Sequence, residues 1–129
     1  MIALLDTTAG SFAVDVETGD VDPWDGEVVV EPAPVLNLPR LVAAAACGAT
    51  VAAVVDAKPP LLVSHDAGTT WRASGRGLPT GCAVAIAAEN PDLVLFAARN
   101  RLYISRDGGV FWSVLAGELP EIRAVALRD

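Results

Sequence analysis

Apolar residues recur along this chain in short runs, at 2–6, 12–16, 28–31, 41–46, 50–55, 61–64, 71–73, 83–88, 93–97, 102–105, 112–115 and 122–127. Segments this short, rich in valine, leucine and isoleucine and bounded by turn-forming residues, predict β-strands. One stretch resists that reading, because 41–55 is so rich in alanine that helix propensity alone would make it helical. Gly48 interrupts it, and a similar stretch at 82–97 is broken by Glu89-Asn90-Pro91-Asp92, where proline after asparagine ends any helix. The consistent expectation is two strands turned at Cys47-Gly48-Ala49.

The similarity of those stretches is part of a longer repeat. Ser64-His65-Asp66-Ala67-Gly68-Thr69-Thr70-Trp71 and Ser105-Arg106-Asp107-Gly108-Gly109-Val110-Phe111-Trp112 share the pattern Ser-x-Asp-x-Gly-x-x-Trp, and each matching pair is 41 residues apart. The register continues to Leu78-Pro79 and Leu119-Pro120. A period of this size is one four-stranded β-propeller blade. With strands lettered A to D from the centre outward, a second blade reads 41–46, 50–55, 61–64 and 71–73, and a third reads 83–88, 93–97, 102–105 and 112–115. The N-terminal third supplies strands B to D of a first blade at 2–6, 12–16 and 28–31, with Glu17-Thr18-Gly19 where the box should stand and no tryptophan after it. Its missing A strand has a counterpart in 122–127, which follows Leu119-Pro120 as an A strand should.

The predicted architecture is therefore all-β, a single half-propeller domain over 1–129. Its first blade takes 1–31 plus 122–127, its second 41–73 and its third 83–115. Rings close with about four to eight blades, so three leave an arc with open edges. The expectation is a six-bladed ring made by a two-fold homodimer, with 122–127 of each copy exchanged into the first blade of the other. The other way to close the ring is for the chain to be an excerpt of a longer propeller.

The boxes and the Leu-Pro that follows them resemble the Asp-box (BNR) repeat propellers over residues 41–120. That group includes sialidases, xyloglucanase-type glycosidases, sortilin-type receptors and Ycf48-like photosystem assembly factors. The resemblance implies the blade fold and leaves function open among enzymes, receptors and assembly factors. Physically the box reads as a hairpin staple, in which an aspartate accepts hydrogen bonds from its own turn, glycine adopts angles other residues avoid, and tryptophan covers the turn. Ser64, Asp66, Gly68, Trp71, Ser105, Asp107, Gly109 and Trp112 are thus expected to be structural.

Charge narrows the partners. The net charge is −7, and residues 1–31 hold eight acids with no lysine or arginine, which argues against a nucleic-acid or anionic-membrane footprint. The longest apolar run, 41–55, is too short to cross a bilayer, and no leader-like pattern opens the chain, so a cytoplasmic protein without membrane insertion is expected. Cys47 and Cys82 form neither a disulfide framework nor a metal set by spacing.

Catalytic patterns are sparse. A sialidase needs a nucleophilic tyrosine, whereas Tyr103, the single tyrosine, stands mid-strand. Other glycosidases need two facing carboxylates about 5–10 Å apart, and nothing in the sequence pairs Glu31, Asp56, Glu118 or Glu121. Asp20, Asp22 and Asp25 are a weak candidate Ca²⁺ set, and no cofactor is expected. His65, in the variable second position of its box, should face solvent. The remaining candidates are Lys58, Arg76, Arg99, Arg101 and Arg123, in or beside B–C and D–A loops that share one propeller face, together with the proline-rich 32–39. The predicted function is a non-catalytic binding or assembly scaffold that docks a protein or peptide. A glycan-acting hydrolase or carbohydrate-binding propeller is the alternative.

Overall fold

The apolar runs pair into strands with their sequence neighbours, since each is too short to bury its main chain alone and tight turns return it beside the previous run. The computed structural model describes residues 1–128 and holds β1 (Ile2–Thr7), β2 (Gly10–Asp15), β3 (Val21–Pro23), β4 (Leu41–Cys47), β5 (Thr50–Val55), β6 (Leu61–Ser64), β7 (Arg72–Ser74), β8 (Gly81–Ala87), β9 (Asn90–Ala98), β10 (Leu102–Ser105), β11 (Ser113–Ala116) and β12 (Ile122–Arg128). They form three four-stranded antiparallel sheets, ordered β12-β1-β2-β3, β4-β5-β6-β7 and β8-β9-β10-β11. These are the first, second and third blades. The alanine-rich stretch is two strands, turned at Gly48 with φ +59°.

The A strands β4, β8 and β12 stand innermost, and β8 lies between the other two. The spatial order is therefore second, third, first. The third blade is buried on both sides, and its residues alternate accordingly. Ala83, Ala85, Leu93 and Leu95 face the first blade in a cluster with Ala3, Leu5, Val14 and Val125. Val84, Val94, Phe96 and Tyr103 face the second blade in a cluster with Ala52, Val54 and Leu61. Burial on both faces explains why 83–88 and 93–97 carry no polar alternation.

Two expectations are corrected. Strand β12 pairs with β1 of its own chain, Leu4 opposite Ala126 and Leu5 opposite Val125, so it is not exchanged into another copy. The connection 24–40 makes this possible. At about 3.3 Å per residue it spans up to roughly 55 Å, enough to return from the first blade past the third to the second. On the way, Val29 to Pro32 line with the inner strands a cavity of about 330 Å³. The outer strand of the first blade is β3, not 28–31. A tight turn, in which Asp15 N–H donates to the Asp20 carbonyl at 2.9 Å and Gly19 N–H to the Asp15 carbonyl at 2.7 Å, returns the chain to the sheet at once.

Each inner strand also carries a bulge near its start, at Val42, Cys82 and Arg123. Bulges re-aim side chains at sheet edges, and these stand at equivalent places in three blades.

Candidate functional site

The box turns set the geometry of the outer rim. Asp66 accepts Ser64 Oγ–H at 2.7 Å, Thr70 N–H at 2.8 Å and Thr70 Oγ–H at 2.6 Å. These bonds, led by the Thr70 hydroxyl, hold its carboxyl at about 2, below the ordinary 3.8. Asp107 accepts Ser105 Oγ–H at 2.8 Å, Val110 N–H at 3.2 Å and Phe111 N–H at 3.0 Å, and its carboxyl is also lowered, first by the Phe111 amide. The serine hydroxyls accept the amides of Gly68 and Gly109 at 2.8 and 2.9 Å. Gly68 and Gly109 have φ of +89° and +92°, which side chains with a Cβ avoid.

The third blade's turn also reaches the second blade. Ser74 Oγ–H donates to the Gly109 carbonyl, and Trp112 Nε1–H donates to Ser74 Oγ at 3.2 Å. A cleft of about 630 Å³ opens beside this contact, walled by 72–78 on one side and 109–112 on the other. Arg72 and Arg76 border it from the second blade, while Val110 and Phe111 border it from the third, Phe111 being 76% exposed. Among the described residues neither arginine meets a carboxylate. Sequence reasoning singled out Arg76 but missed Arg72, Val110 and Phe111.

The B–C and D–A loops meet at one end of the blades. Lys58 Nζ donates to the Leu78 carbonyl at 3.4 Å, joining 56–60 to 75–80. Leu119 N–H donates to the Asn100 carbonyl at 3.0 Å and Ile122 N–H to the Arg99 carbonyl at 2.8 Å, joining 99–101 to 117–121. Arg99 pairs with Glu121 at 2.9 Å, both exposed, so its charge is partly spoken for. Arg76, Arg101 and Arg123 are exposed, the last at the β12 bulge. Arg40, missed in sequence, adds a base here, since its carbonyl accepts the Asp56 amide at 2.9 Å.

Other candidates scatter. Of Asp20, Asp22 and Asp25, only Asp22 lies in β3, with Asp20 before the strand and Asp25 after it. Among the described residues no group of three or more His, Cys, Asp or Glu side chains is arranged to hold a metal ion. His65 is exposed, with Nδ1 3.4 Å from Thr50 Oγ1. Cys47 and Cys82 are half-buried free thiols that tie inner strands together, Cys47 to the Ala88 carbonyl at 3.2 Å and Cys82 to the Ile122 carbonyl at 3.3 Å. Burial, and then Glu121, pushes the Cys82 thiol up. Trp24 lies beneath the Arg128 guanidinium, whose Cζ is 5.7 Å from the ring centroid. Among the described residues no helix is long and apolar enough to cross a membrane.

Solved structures that resemble this arrangement include two propellers. A GH74 enzyme from Niastella koreensis superposes with a TM-score of 0.51 at 18% identity, over 92% of this chain and 18% of that one. A structure of YCF48 bound to D1 peptide superposes with a TM-score of 0.53 at 18% identity, over 94% of this chain and 43% of that one. These likenesses define the fold as that of β-propeller blades. The chain spans less than half the length of either neighbour. No family model matches the chain, and no curated protein sequence does.

Proposed function

We propose that this chain is a non-catalytic docking platform for a protein or peptide, built on the end of the blades where the B–C and D–A loops meet. One observation carries the reading. In a chain of net charge −7 with nine basic residues, Lys58, Arg76, Arg99, Arg101 and Arg123 stand on or beside loops joined in two pairs, 56–60 to 75–80 by the Lys58 ammonium and 99–101 to 117–122 by main-chain hydrogen bonds. Rigidly held loops with exposed cations suit recognition of an acidic or carboxylate-bearing segment. The likeness to YCF48 bound to D1 peptide supports a peptide as ligand, and the likeness to a GH74 enzyme keeps glycan hydrolysis as the reading to exclude.

Binding to an array of short peptides, run beside an assay for reducing ends released from xyloglucan, separates the two. The docking reading expects a subset of peptides to bind and no sugar release. Sustained release that disappears when loop carboxylates such as Glu118 or Glu121 become glutamine would contradict it.

The platform is further proposed to be a six-bladed ring of two copies, each completing its own first blade with β12. Three blades leave the far sides of the first and second blades without a neighbouring blade, and a two-fold partner covers both at once. Light scattering should give the mass of two chains. The mass of one chain at micromolar concentration would rule the ring out.

A further inference from the structure

The 41-residue repeat provides an internal control, because each position of the third blade has a counterpart that does the same structural work in the second. Compared in this way, the two boxes differ at their exposed tips. Thr69 and Thr70 in the second blade become Val110 and Phe111 in the third. The change removes a bond, since the Thr70 hydroxyl binds Asp66 at 2.6 Å and Phe111 offers only its amide to Asp107. In exchange the third blade displays two apolar side chains, 54% and 76% exposed. Exposed phenylalanine has no folding benefit to offset a lost staple bond.

The other wall of the cleft diverges in the opposite chemical sense. Arg72 and Arg76 in the second blade correspond to Ser113 and Gly117 in the third. These four departures from the repeat converge on one cleft of about 630 Å³, lined by an apolar pair from the third blade and two arginines from the second. The equivalent junction between the third and first blades is filled instead. Arg106 donates to the Val16 carbonyl at 2.8 Å and lies 3.8 Å from Glu17, and a Cβ at Gly19 would stand 2.6 Å from the Leu115 carbonyl oxygen.

We infer that the cleft between the second and third blades is a binding site for a short acidic peptide segment in which carboxylates flank an aromatic or aliphatic residue. The apolar side chain packs on Phe111 and Val110, and the carboxylates pair with Arg72 and Arg76, whose planar guanidinium groups suit carboxylates and aromatic faces alike. The inference rests on the docking reading and adds a site on the rim, separate from most of the loop end.

Fluorescence anisotropy with a labelled Ser-Glu-Phe-Glu-Ser peptide tests it, with Ser-Gln-Phe-Gln-Ser and Ser-Lys-Phe-Lys-Ser as controls. Wild-type protein should bind the acidic peptide, more weakly as salt rises, and discriminate against both controls. Arg72→Ser with Arg76→Gly, which installs the third blade's residues, should weaken binding at least about tenfold. Phe111→Thr should do the same while melting at or above the wild-type temperature, because the new hydroxyl can reach Asp107 as Thr70 reaches Asp66. Wild-type affinity in these variants, with loss on Lys58→Ala and Arg101→Ala, would overturn the rim site and leave the docking reading standing. No binding by wild-type protein at about 1 mM peptide would overturn the rim site, and the docking reading would then depend on the peptide array.

Discussion

The third blade meets its two neighbours with different materials. Toward the second blade it offers rings: Phe96 is fully buried, with Tyr103 and Trp112 each 6.1 Å away between centroids. Toward the first it offers aliphatic residues and no aromatic ring, among them Ala83, Ala85, Leu93, Leu95, Leu102 and Ile104. The rims differ in the reverse sense. The aromatic junction opens outward into a cleft lined by Arg72, Arg76 and Phe111, whereas the aliphatic junction is closed by Arg106 and by the turn at Gly19. A junction anchored from within by Phe96 and Trp112 can leave its rim free for a ligand. One held by alanine and leucine uses its rim for contact.

The largest expected effect comes from removing the inner anchor. Phe96→Ala should cost about 3–5 kcal/mol, the usual range for a buried phenylalanine, read as a fall in the urea midpoint. Leu93→Ala across the other junction should cost less, about 2–3 kcal/mol. An equal or larger loss at Leu93 would mean that the aromatic junction is not the stronger one. Next is Gly81→Ala. A Cβ there would overlap the Phe96 ring and stand 3.0 Å from Val54 Cγ1, so overpacking should cost about 1–3 kcal/mol. The same change at Gly117, which has nothing within 4 Å, should be close to neutral.

The smallest effect is electrostatic. Asp66 has a folded-state value of about 2 against an ordinary 3.8. Being depressed, it contributes stability that is present above the unfolded value and lost as pH falls through the folded one, in the window between about 4 and 2. Asp107 is lowered in the same direction. Melting temperature should therefore fall in that window, and Asp66→Asn should flatten the decline while lowering the plateau at neutral pH. An unchanged acid profile in Asp66→Asn would show that its carboxylate does not staple the turn.

Much of the architecture was legible because the repeat supplied a ruler. The strands at 50–55, 61–64 and 102–105 lie where the pattern puts them, and the same register overrode helix propensity at 41–55. Where no box set the register, reading failed. The valines at 28–30 look like a strand, yet the short turn after Asp15 brings Val21 back to the sheet first. The partner of β12 was also beyond the pattern, since a missing strand can be supplied by either copy. The reach of 24–40 is what allows β12 to complete its own blade.

The site was half legible. The exchange of Thr69-Thr70 for Val110-Phe111 stands in plain view in the repeat. Its meaning depends on which side chains the next blade brings opposite, and that is set by how two sheets approach. The bulge at Arg123 is equally invisible in sequence, because pairing register and not residue type creates it.

The contrast between the two junctions is tested most directly by titrating isotope-labelled protein with the Ser-Glu-Phe-Glu-Ser peptide and following backbone amide shifts. Perturbations are expected at 72–78 and 109–112, with the equivalent amides at 113–119 and 17–20 unmoved. Equal shifts at both junctions, or shifts confined to the second, would contradict the account.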